Sequence, residues 1–483
     1  MEKLNVKEIE AGVKGNLLNI SEYICHSKNK RLLILEENKF IEGVSIDSRT
    51  VKEGELFVAI KGKKVDGNCF VKDVVRKKVS ALFIERGKVK KTLSDIREIK
   101  SEFQQINLKI IVVQDTLKAL GDLGAYYRKK FKIPVIGITG STGKTTTKEL
   151  TASCLSAKYN VLKNKSSYNS LTGVPLTLFN LAEENNMCVL EIGANRKGEI
   201  KRLSEIANPA AGIITNIGAC HLEAFKTLEG VLKEKSELLR GTRVAIINGD
   251  DVLLRTIKLP YPLIQKKFKF GITGVGLDLT AQEVDLKDGI SFKVDGIKFK
   301  MPLIGIHNVY NALAAISAGI YFDVPLKDMS EALKNVEAME HRDELIDIKG
   351  IRIIDSTYNA NPFSMRAAIE ELCVLKAQAD LKTKKAGKNR TIAILGDMLE
   401  LGKKSEQFHM DVGAFLKEKH IDIIISVGKL AKHYIEDIYA RKKFSFRSSE
   451  EVIPFIKKFL EKGDIVLIKG SNAMRMSKIV SSL

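Results

Sequence analysis

The sequence predicts an α/β chain of three domains. A small N-terminal α/β domain covers 1–114. A central phosphate-loop domain with a parallel sheet covers 115–335. A Rossmann-like α/β domain covers 336–483. Three observations predict this. A length of 483 residues suits roughly three domains. Short apolar β-type runs alternate with helical periodicity, which implies parallel sheets flanked by helices. One stretch, Val135-Ile136-Gly137-Ile138-Thr139-Gly140-Ser141-Thr142-Gly143-Lys144-Thr145-Thr146, reads strand, Gly-rich turn, Gly-Lys-Thr, helix.

The N-terminal domain begins with Met1-Glu2-Lys3-Leu4, which has no apolar core of a signal peptide. Gly43-Val44-Ser45-Ile46-Asp47-Ser48-Arg49 reads as a strand entering a polar turn. Leu56–Ile60 is a strand, followed by the Lys/Gly loop 61–67. A Ser-Arg pair beside such a loop suits a diphosphate, although an ordinary solvated loop reads equally well. Ala81–Ile84 and Ile110–Val113 are further strands. The charged segment Lys88–Glu102 reads as a mobile connection. Asp115 or Thr116 then caps a helix in which Leu117, Leu120, Leu123 and Tyr127 recur at helical spacing.

That helix leads into the phosphate loop. Backbone N–H groups of such a loop converge on one concavity, and the new helix adds its positive end. Lys144 would face the β/γ-phosphates, and the Thr145 hydroxyl a Mg²⁺. The usual pattern would place a glycine at 138, where this chain has Ile138. Ligands of parallel sheets sit at the carboxyl ends of strands. The strand Met187–Leu190 ends there in Glu191-Ile192-Gly193-Ala194. The strand Ala211–Ile214 ends in Thr215-Asn216-Ile217-Gly218, with His221 and Glu223 beyond. Glu191 suits a hard Mg²⁺ better than His221 does. A helix cap and a structural histidine are their plain alternatives.

The polar stretch Ser166–Pro175 is too long for a turn and suggests a binding loop. Leu228–Leu239 is helical, and its Lys/Glu pattern alone reads as a solvated face. Gly305-Ile306-His307-Asn308-Val309-Tyr310-Asn311-Ala312 opens an Ala-rich helix with Asn308 and Asn311 on one face. In the third domain, Ile351–Ile354, Thr391–Leu395, Ile421–Ser426 and Ile465–Ile468 are buried-type strands. Each ends in polar or glycine residues: Asp355, Gly396-Asp397, Gly428-Lys429 and Lys469-Gly470-Ser471. The run Lys382–Lys388 reads as a surface loop.

Composition narrows the function. Six scattered cysteines without a Cys-x-x-Cys pair imply a reducing cytoplasm and no cysteine metal site. No apolar run is long enough to span a bilayer. The net charge of +20 suits either nucleic acid or a polyanionic small molecule. Lysines are spread along the chain and no RNA- or DNA-binding motif is present, which favours the small molecule and no nucleic acid.

Taken together and in this order, the motifs around Lys144, Glu191, Thr215–His221, Gly305–Ala312 and Asp355-Ser356-Thr357-Tyr358-Asn359-Ala360-Asn361-Pro362 resemble those of the Mur ligases of peptidoglycan synthesis. The Tyr-Asn-Ala-Asn-Pro run, Gly396-Asp397-Met398-Leu399-Glu400-Leu401-Gly402 and Lys469-Gly470-Ser471 are similar to the branch that adds D-alanyl-D-alanine to UDP-MurNAc-tripeptide. The resemblance implies an ATP-dependent, ADP-forming ligase; the cysteine usage places it in the cytoplasm without membrane insertion, and monomer is the expected state. The first domain would hold UDP through Ser45, Asp47, Ser48 and Arg49. The loop Thr139, Gly140, Ser141, Thr142, Gly143, Lys144, Thr145 and Thr146 would hold ATP, with Asn308 and Asn311 by the adenine. Arg342 and Asp355 would reach the nucleotide from the third domain. Asn169, Tyr358, Asn359 and Asn361 would meet substrate or the closing interface.

Two Mg²⁺ ions are implied, held by Thr145, Glu191, His221 and a carbamoylated Lys235. Lys144, Lys235, His221 and Glu191 would be the catalytic set. The chain departs from the family pattern at Asn169-Ser170, His341-Arg342 and Asp355-Ser356-Thr357. Within the family the alternative is the ligase that adds the third amino acid, but its Asp-[Asp/Asn]-Pro-x-Arg box is missing. Folylpolyglutamate synthase lacks a counterpart to the Asp47-Ser48-Arg49 domain. A basic nucleic-acid-dependent ATPase and an inactive nucleotide-binding scaffold are the readings outside ligation.

Overall fold

The computed structural model describes residues 1–18, 40–62, 64–103, 108–258, 261–287, 289–383, 389–436, 440 and 442–483. The side chains of Lys382–Lys388, and Lys63 of the Lys/Gly loop, lie outside that description. Two compact units form. The first joins 1–137, 160–193 and 201–210, and the second 138–159, 194–200 and 211–483.

In the first unit, five strands run in the order Asn16–Leu18, Lys109–Val113, Ala81–Glu85, Leu56–Val58 and Val44–Ser45. All pairs are parallel except the first. Phe57, Leu82, Ile84 and Ile110 bury one face against Val71, Val74, Leu93 and Ile96. The last two lie on an α-helix, Val89–Glu98, so the segment expected to be a mobile connection is ordered. Its apolar residues are few but three apart, and Thr92 joins them inside. Ion pairs Lys72–Glu98 and Arg76–Glu102 hold the charged side to the preceding helix. Asp115 caps the helix Thr116–Lys129 by accepting from the Lys118 amide. Buried Tyr127 on that helix donates to the Leu181 carbonyl at 2.8 Å. Met187–Glu191 pairs parallel with Val161–Lys163 in the same unit.

The strand Val135–Thr139 begins in the first unit and ends in the second. In the second unit, four parallel strands run Leu279–Thr280, Lys266–Gly271, Val244–Asn248 and Ala211–Ile214. The helix Lys144–Ser156 packs on the Ala-rich helix Ile306–Tyr321, whose Ala312, Ala315 and Ala318 are fully buried and let the two backbones approach. Six strands form the last sheet: Glu344–Ile348, Ile351–Ser356, Ile465–Lys469, Thr391–Gly396, Ile423–Val427 and Lys442–Phe446. Only the first pair is antiparallel. Two clusters of Ile, Leu and Val fill the two faces of that sheet, as buried parallel strands require.

Candidate active site

The strand Val135–Thr139 is buried throughout, and Ile138 lies inside it, so a glycine there would have no role. Glycine is required two residues later. A Cβ on Gly140 would sit 1.8 Å from Thr215 Oγ1. Gly143 caps the following helix with φ 77°, and a Cβ there would sit 2.4 Å from Asn311 Oδ1.

The segment 215–220 lines the loop. The Ser141 amide donates to Asn216 O at 3.0 Å, and the Thr142 amide to Asn216 Oδ1 at 3.0 Å. Thr215 Oγ1 donates to Thr142 O at 2.6 Å. Ser141 Oγ donates to Gly218 O at 3.0 Å and accepts from the Gly218 amide at 2.8 Å. The Cys220 thiol donates to the same hydroxyl at 3.3 Å.

Two cations meet on one carbonyl. Lys144 Nζ donates to Gly140 O at 2.9 Å, and Lys235 Nζ donates to the same oxygen at 2.8 Å. Lys235 is 4% exposed, so the reading of its helix as a solvated face is overturned. The helix is Leu228–Ser236, and Val231, Glu234 and Lys235 point inward from it. Burial, with Lys144 nearby, draws the Lys235 ammonium down to about 8, against a smaller opposing pull from Cys220 and Glu234. Glu234 has a distinct role. It accepts from the Gly198 and Ile200 amides at 2.8 and 3.0 Å and caps the helix Glu199–Ala207. Sequence reading passed over it, because a Glu among Lys/Glu pairs carries no local signal.

His221 has φ 49° and caps the short helix Leu222–Phe225. Its Nδ1 lies 2.5 Å from Glu400 of the Gly-Asp-Met-Leu-Glu-Leu-Gly motif. Asn308 and Asn311 are buried and mutually bonded. Asn311 Nδ2 donates to Asn308 Oδ1 at 2.8 Å, Asn308 donates to Ile304 O, and Asn311 accepts from Thr147 Oγ1 at 3.1 Å. The pair therefore supports the phosphate-loop helix directly.

The third-domain residues also gather. Arg342 stacks on the Tyr358 ring at 3.5 Å. Asp355 is 1% exposed and accepts from the Thr357 amide and hydroxyl at 3.0 and 2.7 Å, with His341 Nδ1 at 2.7 Å. Asn361 Oδ1 accepts from the Ser364 amide at 2.9 Å, which makes it the cap of the helix Pro362–Thr383. Asn359 O accepts from buried Lys469 at 3.0 Å. Sequence reading singled out Lys469 as a strand end and as part of a family motif, without a role for its side chain. Its Nζ also donates to Ser356 Oγ at 2.7 Å, and Ser356 Oγ to Asp343 Oδ1 at 2.6 Å. Asp343 Oδ2 then pairs with His307 Nε2 at 3.1 Å.

The remaining candidate residues lie in the first unit. Arg49 is bonded to Asp47 at both carboxylate oxygens, and this pairing draws the Asp47 carboxyl down to about 2. Ser45 Oγ accepts from the Asp47 amide at 3.2 Å, and Lys77 donates to the Ser48 carbonyl at 2.7 Å. Asn169 Nδ2 donates to Glu191 Oε1 at 2.6 Å. Buried Asn164, not anticipated, exchanges bonds with both backbone groups of Glu191.

Among the described residues, no three His, Cys, Asp or Glu side chains converge as a metal cage. Each unit carries a buried hard-oxygen donor of the expected kind, the Glu191 carboxylate in the first and the Thr145 hydroxyl in the second. Mg²⁺ suits oxygens of either kind, since it keeps waters and phosphate oxygens as most of its ligands. No described helix is long and apolar enough to cross a membrane.

Comparison with known proteins places these features. Residues 40–128 match the Mur ligase family catalytic domain, 138–319 the Mur ligase middle domain, and 341–472 the Mur ligase glutamate ligase domain. The UDP-N-acetylmuramoyl-tripeptide–D-alanyl-D-alanine ligase of Bacillus subtilis is 34% identical over 498 aligned positions, covering 100% of this chain and 99% of that protein. Its Escherichia coli counterpart is 30% identical, covering 92% and 94%. A crystal structure of MurF from Acinetobacter baumannii superposes with a TM-score of 0.82 at 30% identity, covering 100% and 99%. MurF from Thermotoga maritima in complex with ADP gives 0.75 at 26% identity, covering 91% and 96%. Motif order, phosphate-loop geometry and full-length similarity agree: the chain belongs to the Mur ligase family.

Proposed function

We propose that this chain is an ATP-dependent, ADP-forming ligase that joins D-alanyl-D-alanine to UDP-MurNAc-tripeptide in the cytoplasm, as a monomer and without nucleic acid. The observation that carries it is the pair of lysines, Lys144 and buried Lys235, on the Gly140 carbonyl of the phosphate loop. The full-length relatives whose names state this reaction support it.

The tripeptide carboxylate attacks the γ-phosphorus of ATP, giving an acyl phosphate and ADP. The dipeptide amine then attacks the acyl carbon, phosphate leaves, and an amide forms. A carboxylate approaching a triphosphate meets like charge, so neutralisation is the main task of the site. Lys144 provides a cation at the transferred phosphoryl group. The first-turn amides at the positive end of the helix Lys144–Ser156 hold the remaining oxygens, while the Ser141 and Thr142 amides stay on Asn216. Asn308 and Asn311 fix that helix, and Arg342 with Asp355 serve the nucleotide. Ser45, Asp47, Ser48 and Arg49 hold the UDP end, and Asn169 orients Glu191. Tyr358, Asn359 and Asn361 shape the closing side of the third domain.

Thr145, Glu191, His221 and a carbamate on Lys235 would hold Mg²⁺, which when bound neutralises phosphate charge and polarises the phosphoryl group. The lowered Lys235 ammonium supports the carbamate, because only a neutral amine adds CO₂. Asp115 and residue 336 begin the domains that would hinge, with boundaries 1–114, 115–335 and 336–483.

The test is phosphate release from ATP and Mg²⁺ with UDP-MurNAc-tripeptide, with and without D-Ala-D-Ala. Release that needs both, with a UDP-MurNAc-pentapeptide product by mass, is expected. Release that needs neither and rises with DNA or RNA would sink the reading. A tripeptide product from UDP-MurNAc-dipeptide and a diamino acid would redirect it to the neighbouring ligase.

A further inference from the structure

Arg342 sits between two strained residues. His341 has φ 62° and Asp343 has φ 54°, a region costly for residues that carry a Cβ. Glycine at either position would relieve the backbone, yet neither is glycine. Each side chain is instead committed to a polar contact. His341 Nδ1 lies 2.7 Å from Oδ2 of Asp355, a carboxylate 1% exposed. Asp343 pairs with His307 Nε2 at 3.1 Å and accepts from Ser356 Oγ at 2.6 Å. The Tyr358 amide also donates to the His341 carbonyl at 3.1 Å, and the Tyr358 ring carries the Arg342 guanidinium at 3.5 Å. Immediately afterwards the chain enters the edge strand Glu344–Ile348, whose first residue pairs with Asp355.

These contacts have two origins. His341 ties the turn to its own sheet. Asp343 ties it to His307, one residue before Asn308 in the helix that flanks the phosphate loop. His307 therefore reports the position of that helix to the turn.

We infer that His341 and Asp343 are positioning residues, forming a strained clip that presents Arg342 to the nucleotide and couples its placement, through His307, to the phosphate-loop helices. The inference rests on the ligase reading for the identity of the nucleotide only. Lys469 closes the chain of contacts by holding Ser356 and the Asn359 carbonyl. Strain held by side-chain contacts gives one defined geometry, and removing the contact frees the turn to relax.

The experiment uses the full chain and a non-hydrolysable ATP analogue with Mg²⁺, titrated by calorimetry, beside a melting curve for each variant. His341→Gly should melt no lower than the unmodified chain, because glycine accepts the left-handed backbone. Its Kd for the analogue should nevertheless rise about tenfold, the effect of losing one charge-assisted bond. His341→Asn tolerates the same backbone and offers Asp355 an amide donor, so it should restore most of the affinity. Asp343→Asn should weaken binding similarly, and His307→Ala added to it should cost nothing further.

Affinities unchanged in both His341→Gly and Asp343→Asn overturn the clip. So does a loss that follows the melting temperature and is not restored by His341→Asn. An unmodified chain that does not bind the analogue overturns it too. An unmodified chain that binds the analogue but releases no phosphate with both substrates removes the ligase reading alone, and the variant titrations still decide the clip.

Discussion

The phosphate loop and the Arg342 turn both hold charged side chains in fixed positions, by opposite means. The loop is built from backbone. Its glycines sit where a Cβ would strike Thr215 or Asn311, and its amides and carbonyls bond the 215–218 segment. The Arg342 turn is built from side chains, which hold two residues in a conformation their backbones disfavour. A backbone-built site tolerates loss of a hydroxyl and fails on gain of a methyl. A side-chain-built site tolerates glycine in the fold and fails in binding.

Variants can break or sharpen that contrast. The largest effect should come from the buried Lys235 beside the loop, whose carbamate would be lost. Lys235→Ala should lower kcat by about a thousandfold, the scale of losing a preorganised charge at a reacting centre. Short carboxylic acids added to that variant should recover part of the rate in a phosphate-release assay, and full activity without them would remove Lys235 from the mechanism. Gly140→Ala should destabilise the chain by about 1–3 kcal/mol through the forced displacement of Thr215, read by chemical denaturation. An unchanged midpoint would show the loop is not backbone-limited.

Glu371 offers a contrast in titration. Burial, with Asp343 adding and His307 opposing, pushes its carboxyl up to about 7 from 4.5. The folded state then binds more protons than the unfolded one between those values, so stability falls as pH rises through that window. Glu371→Gln should therefore stabilise the protein by roughly 1–3 kcal/mol at pH 8 and by little at pH 4. Equal effects at both pH values would contradict the buried carboxylate. Ser141→Ala is the smallest test, costing about 1 kcal/mol and leaving ligation within roughly tenfold. A larger loss would mean that side chains do more to shape the loop than its glycines do.

The same contrast explains what was legible in the sequence. The phosphate loop announces itself because strand, glycines and Gly-Lys-Thr are contiguous and local. The parallel sheets were legible from buried-type runs, and the third-domain strands differ from expectation by a residue or two at their ends. Lys235 was not legible from pattern, because a lysine beside Glu234 and two residues before Glu237 reads as solvated until the fold brings Gly140 to it. It was reached only through resemblance. The helix Val89–Glu98 was hidden because charged residues outnumber the Leu93 and Ile96 that bury it. His307–Asp343 joins residues 36 apart in sequence, each unremarkable alone. Contacts of this kind depend on register between elements, and no local window contains them.

One feature of the loop bears on which molecules it can accept. Both ammonium groups are tethered to a single backbone oxygen, at 2.9 and 2.8 Å. Binding is thus an exchange: an arriving anion must displace an internal acceptor, not merely shed water. A lone weak charge gains little from that trade. A chain of phosphoryl oxygens gains at each partner it takes over. In the unmodified chain the Gly140 carbonyl therefore sets the cost of entry for an anion at Lys144, and a carbamate on Lys235 would lift that lysine's share of the cost by turning it from a donor to the carbonyl into a ligand for Mg²⁺.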